Sequence, residues 1–128
     1  MLQQRYAHDD ILFSPVVLDR AARLPAALFD SVADNLLHNA LLKRQGESSL
    51  EVRFTLAADA ASFTVCDSGS IVRKEITNDL LRAPVRSENG LGIGLYHAAR
   101  QAEGYGYELR LVGNVAGQVC FELSNRRR

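Results

Sequence analysis

The sequence has no surplus of charge of either sign. Fifteen Lys and Arg residues offset fifteen Asp and Glu. Chains that bind nucleic acid usually carry a basic excess, so that class is disfavoured. No apolar run approaches the ~18–20 residues that cross a bilayer. The first residues, Met1-Leu2-Gln3-Gln4-Arg5, lack the apolar stretch of a signal peptide. A cytoplasmic domain with no membrane contact of its own is therefore expected. Only two cysteines occur, Cys66 and Cys120, each in an apolar strand-like run and without CxxC or Cys/His metal spacing. They read as two reduced core cysteines; a disulfide would need adjacent strands to bring them face to face. There is no repeat or low-complexity stretch, and the one charge run, Arg126-Arg127-Arg128, reads as a solvated end. What remains is 128 residues, 47% hydrophobic and 23% charged. That is one ordinary globular domain without room for a second core.

Asp10-Ile11-Leu12-Phe13-Ser14 reads as a short strand stopped by Pro15. Residues 16–24 read as a strand or irregular segment leading to Pro25, which suits a first helical turn. From Ala26 to Arg44, Leu28, Val32, Leu36 and Ala40 recur every four, with Phe29, Ala33 and Leu37 beside them. This predicts a long helix closed by Gly46. Leu50 to Leu56 and Ser62 to Cys66 alternate apolar and polar residues and form a hairpin across Ala57-Ala58-Asp59-Ala60. A short amphipathic segment spans Lys74 to Leu81, and residues 82–90 read as a loop. Leu91 to Glu103 is helix-like and ends at Gly104; Tyr107 to Val112 and Gln118 to Leu123 make a final hairpin around Gly113-Asn114. The expected class is α+β, a two-layer sandwich with a mixed, mostly antiparallel sheet covered on one face by about three helices. Strict βαβ alternation is missing, which excludes a doubly wound fold.

Three segments carry chemistry. Asn35 and Asn39 lie four apart on the long helix and share a face. Carboxamide oxygens are hard donors suited to Mg²⁺ beside phosphates, although two solvated or capping asparagines would look the same. Asp67 ends an apolar strand two residues before Gly69. A carboxylate there can accept from an exocyclic amine such as adenine's, and the glycine lets a ring approach the backbone; a plain strand-end turn is the other reading. Gly90, Gly92 and Gly94 alternate just before a helix, an arrangement that exposes backbone N–H groups to an anion. It lacks the lysine of GxxxxGK[ST] and fails GxGxxG because position 95 is Leu.

In order and spacing, this set resembles the GHKL superfamily of ATP-binding domains over roughly residues 24–124. Asn35 to Asn39 looks like its N box, Asp67-x-Gly69 like its G1 box and Gly90-x-Gly92-x-Gly94-Leu95 like its G2 box. Asn35-Leu-Leu-His-Asn39-Ala40 is similar to the form found in sensor histidine kinases. The ATP-hydrolysing branches place a glutamate where Asn35 stands. Without that base, hydrolysis by water should be slow, whereas a neutral imidazole needs no base to attack phosphorus. The resemblance implies ATP and Mg²⁺ as cofactors. Asn39 would be the main Mg²⁺ ligand with Asn35 assisting, Asp67 would bind the adenine amine, and Gly69 would admit the ring. Gly90, Leu91, Gly92, Ile93, Gly94 and Leu95 would surround the phosphates, and residues 70–90 would form a short lid.

The chain also departs from the family pattern. Ile71 stands at the second glycine of DxGxG. The N-box lysine position is Leu42, and Lys43, the candidate nucleotide contact, lies about 100° further around the helix. Leu80 to Val85 replaces the aromatic F box, and Gln118 follows Gly117. These changes bear on catalysis more than on nucleotide binding. A phosphoacceptor is also missing: His38 and His97 read as structural or surface residues, and His8 lacks a surrounding long helix. Tyr105 and Tyr107 read as packing at a strand start. Arg82, Arg86 and Lys74 flank the lid, as solvated charges or as a triphosphate clamp. The implied role is the catalytic ATP-binding domain of a longer histidine kinase, monomeric when isolated, whose parent could be membrane-anchored. Its partners would be a histidine-bearing dimerisation domain and, through it, a response regulator. The alternatives are a degenerate nucleotide-binding regulatory module and an anti-sigma-type serine kinase of the same fold.

Overall fold

The four-residue spacing of Leu28, Val32, Leu36 and Ala40 produces one long helix, α1 (Ala26–Gly46). Its apolar side is buried, with Leu28, Val32 and Leu37 fully inaccessible. The computed structural model describes residues 11–13, 26–47, 49–57, 62–73, 77, 81–82 and 91–125. The remaining elements are β1 (Ile11–Phe13), β2 (Val52–Ala57), β3 (Ser62–Asp67), α2 (Leu91–Gly104), β4 (Tyr107–Val115) and β5 (Gln118–Asn125). The strands form one sheet in the order β1-β2-β3-β5-β4. β1 runs parallel to β2, and the other three pairs are antiparallel. The mixed, mostly antiparallel sheet is thus as expected, and both described helices pack on it. The minor helix expected over Lys74 to Leu81 falls largely outside the described residues. So do His8, the segment 14–25, the turn at 58–61, Lys74, Arg86, Gly90 and the arginine tail.

Strand alternation decides which side chains meet the helices. Phe63 and Val65 of β3, Leu109 of β4 and Leu123 of β5 enter the core beneath α1 and α2. Phe29 of α1 stands edge-on to both Phe63 and Tyr107, with ring centroids 5.2 and 5.5 Å apart. Phe54 stacks on Phe63 at 5.2 Å. Full burial of such a side chain contributes about 1.5–3 kcal/mol, so this aromatic group anchors the helix layer. Ala98, Ala99 and Ala102 give α2 a small buried face that lets it settle beside α1 and the sheet. Gly106, at φ 78°, turns the chain from α2 into β4.

Three expectations change. The final hairpin turns at Ala116-Gly117 rather than at Gly113-Asn114, with Gly117 at φ 86°. A bulge between Leu111 and Gly113 lets β4 continue through both residues. Cys66 and Cys120 are a disulfide, not two reduced thiols: β3 and β5 place them directly opposite, with Cα atoms 4.1 Å apart. They lie on the sheet face turned away from the helices, because their neighbours Val65 and Phe121 point the other way. Tyr107 packs in the core as expected, but Tyr105 is half exposed. No helix among the described residues is long and apolar enough to cross a membrane.

Candidate nucleotide site

Three side chains spaced by four, Asn35, Asn39 and Lys43, form a stripe along α1. At its first end, Asn35 fills the space beside Gly94 in the opening turn of α2. A Cβ on Gly94 would lie 2.7 Å from Asn35 Oδ1, so any larger residue there would force the Asn35 carboxamide to move. In the middle, Asn39 is half-buried, and its Nδ2 is buried without a hydrogen-bond partner. Among the described residues it is the one buried side-chain polar atom in that state. Burying an unsatisfied donor costs about 1–3 kcal/mol, and native proteins keep such groups sparingly.

At the other end, Lys43 reaches the end of β3. Its Nζ donates to Asp67 Oδ1 at 2.9 Å and to the Ser70 carbonyl. Asp67 Oδ1 also accepts the Gly69 N–H at 2.9 Å. The pair is largely shielded, with side-chain exposures of 18% for Lys43 and 10% for Asp67. A Cβ on Gly69 would meet Leu50 Cδ1 at 2.6 Å and Lys43 Cε at 2.9 Å. The glycine is therefore needed here to admit the lysine stem and Leu50, where the sequence suggested room for a ring.

The chain after Asp67 is fastened on two sides. Glu47 accepts from the Ser70 N–H and hydroxyl at 2.9 and 2.8 Å. The Gly117 N–H donates to the Gly69 carbonyl at 3.0 Å. Asn114 pairs with the backbone of Val72 in both directions: Oδ1 accepts its N–H at 2.8 Å and Nδ2 donates to its carbonyl at 3.0 Å. Sequence reasoning missed Glu47, Leu50 and Asn114. Glu47 follows directly on the helix end, and Gly113-Asn114 looks like a turn.

Leu91, Gly92, Ile93 and Gly94 form the first turn of α2, and Leu95 is buried beneath it. The first four amides of a helix have no intrahelical acceptor, and the helix dipole favours an anion there. Gly90 lies outside the described residues. The structure thus sets Asn35 against the first turn of α2 and places Lys43 with Asp67 and Gly69 at the far end of the stripe, with Asn39 between them on α1. His38 and His97 are exposed, as is Arg82. No group of three or more His, Cys, Asp or Glu among the described residues could hold a metal. A divalent cation would instead rest on carboxamide oxygens and on oxygens of its ligand, a donor set that fits Mg²⁺. A separate cavity of about 390 Å³ between α2 and β4, lined by Arg82, Arg100 and Arg110 among others, shares no residue with this stripe.

The architecture is the α+β fold of histidine-kinase catalytic ATP-binding domains. The chain is similar to the catalytic domain of histidine kinase ThkA, with TM-score 0.69 and 18% identity over 95% of this chain and 84% of that one. It is similar to the mycobacterial sensor histidine kinase MprB, with TM-score 0.63 and 18% identity over 95% and 86% of the two chains. It also matches full-length ShkA, solved in complex with AMPPNP, with TM-score 0.69 and 20% identity over 98% of this chain. The match spans only 27% of the ShkA chain. No family model matches the sequence, and no curated protein matches it.

Proposed function

We propose that this chain is the ATP-binding catalytic domain of a sensor histidine kinase. It would bind ATP with Mg²⁺ and present the γ-phosphoryl group to a histidine on a dimerisation domain, from which a response regulator receives it. The observation that carries the reading is the Asn39 Nδ2, buried without a hydrogen-bond partner midway along the stripe between Asn35 and Lys43. A ligand with oxygens at that place would satisfy it. In this reading Asn39, assisted by Asn35, holds the cation. The backbone of Leu91, Gly92, Ile93 and Gly94 receives the phosphates, with Gly90 before them and Leu95 packed beneath. Asp67 accepts the base amine. When bound, Mg²⁺ supplies neutralisation of charge on the phosphate oxygens. A neutral imidazole nitrogen attacks the γ-phosphorus, the bond to the bridging oxygen breaks, and ADP leaves. Asn35 stands where a general base for water would have to be, so the site favours transfer to a histidine over hydrolysis.

The test is titration calorimetry of the chain with ATP, with and without Mg²⁺. Micromolar, Mg²⁺-dependent binding is expected. Asn39→Ala should weaken it at least tenfold while leaving the circular dichroism spectrum unchanged. Absence of wild-type binding up to millimolar ATP would refute the reading. A regulatory module that binds nucleotide without transferring phosphate is the second reading, favoured by the exposed Ile71 and by the lysine stem over Gly69. Phosphotransfer to an added histidine-bearing domain separates the two.

A further inference from the structure

We propose that Lys43 reads the nucleotide base. Paired with Asp67, it makes the base subsite a donor–acceptor pair that takes 6-oxopurine as well as 6-aminopurine nucleoside triphosphates. This inference rests on the ATP-site reading above and concerns only its base end.

Position along the helix comes first. Lys43 is eight residues beyond Asn35, about 12 Å along the axis of α1. It therefore sits at the opposite end of the stripe from the opening turn of α2. Its stem is held there, because Cε occupies the space that a Cβ on Gly69 would need. The ammonium is thus a fixture of the Asp67 end and does not serve the phosphate end.

Counting donors and acceptors gives the second step. An ammonium has three N–H donors. Two of them go to Asp67 Oδ1 and the Ser70 carbonyl. Asp67 Oδ1 receives both Lys43 and the Gly69 N–H. Among the described residues Asp67 Oδ2 accepts nothing, and the third Lys43 proton has no acceptor. Among the described residues, one donor and one acceptor are therefore left over on two side chains in direct contact.

A lone carboxylate at this end would accept the 6-amino group of adenine. It would repel the 6-oxo group of guanine or hypoxanthine, since both are acceptors. With Lys43 beside it, the other pairing becomes available: the ammonium donates to O6 while N1–H donates to Oδ2. Adenine keeps its contact with Asp67 whether or not Lys43 is present, whereas a 6-oxopurine depends on Lys43 for its only donor.

Calorimetry with ATP and inosine triphosphate, each with Mg²⁺, tests this on the wild-type chain and on Lys43→Met. Inosine triphosphate carries O6 and N1–H but no exocyclic amine. The wild type should bind it within about tenfold of ATP. Lys43→Met should weaken inosine triphosphate about ten- to a hundredfold more than ATP, the scale of a hydrogen bond to a charged donor. A wild type that binds ATP but rejects inosine triphosphate by more than a hundredfold overturns the proposal while leaving the ATP site intact. So does a Lys43→Met variant that weakens, or tightens, both nucleotides equally. Should the variant fail to fold, the wild-type comparison decides alone. A wild type that binds neither nucleotide removes the ATP-site reading and this inference with it.

Discussion

Gly94→Ala sets two effects of known size against each other. Gly94 lies in the first turn of α2, where alanine is preferred over glycine by about 1 kcal/mol. The added methyl group would also lie 2.7 Å from Asn35 Oδ1 and 3.6 Å from its Cγ. Real Cβ atoms do not approach that closely, so the carboxamide must move. Asn35 is short, half-buried and fixed to α1, which leaves it little freedom. Overpacking of this kind costs about 1–3 kcal/mol. The steric cost should therefore exceed the propensity gain, for a net destabilisation of about 1 kcal/mol. In an Asn35→Ala background the obstacle is gone, and Gly94→Ala should then stabilise by about 1 kcal/mol. The double-mutant cycle should show a coupling energy near ~2 kcal/mol. Urea denaturation of the four proteins, followed by circular dichroism, measures it. If Gly94→Ala shifts both backgrounds equally, within about 0.5 kcal/mol, Asn35 does not sit against α2 and the site's first end is misplaced.

Three further outcomes concern the sheet. Denatured but unreduced protein should show no free thiol, since Cys66 and Cys120 are the chain's two cysteines; two titratable thiols would refute the pairing. Their separation of 54 residues implies that replacing both by serine costs up to about 4 kcal/mol in the chain-entropy treatment, measurable as a lower urea midpoint in non-reducing buffer. Burial raises the Tyr107 phenol above its ordinary pKa, with the Asn125 hydrogen bond opposing in part. A raised folded-state value means that stability is full below the unfolded pKa of about 10 and is lost as pH rises through the folded one. Tyr107→Phe should flatten that alkaline decline, and an unchanged slope would show that Tyr107 is not its source.

Short-range pattern was readable where burial repeats with the period of the element. The fourfold spacing of Leu28, Val32, Leu36 and Ala40 marked α1, and alternation marked β2 and β3, because each has one face on the core. The order of the three motifs was likewise visible, since each is a few residues long. Contacts across the chain were not. Glu47 meets Ser70 over a separation of 23 residues and Asn114 meets Val72 over 42, and nothing local marks either pairing. Gly113-Asn114 has turn-forming residues, yet the bulge before them carries the strand onward and turns the Asn114 side chain to Val72. The disulfide depended on strand register, which spacing alone does not supply. For Lys43, helix geometry showed that it points away from the lysine place of the ATP-binding superfamily that the motifs resemble. What it points to required the position of β3.

The short segment from Ser68 to Val72 is fastened at one side to Glu47 and Glu51 and at the other to Asn114 and Gly117. The wall beside Asp67 is therefore assembled from three separate stretches, residues 47–51, 68–72 and 114–117, and it exists only once the last hairpin has closed. No partly folded intermediate lacking β4 and β5 could offer it. A ligand received there would bind the finished molecule and ignore its precursors. Its free energy would add in full to global stability, about 2.7 kcal/mol at a hundred times its dissociation constant. Ligand-induced protection against unfolding would then report how complete the fold is, alongside how tightly the ligand is held.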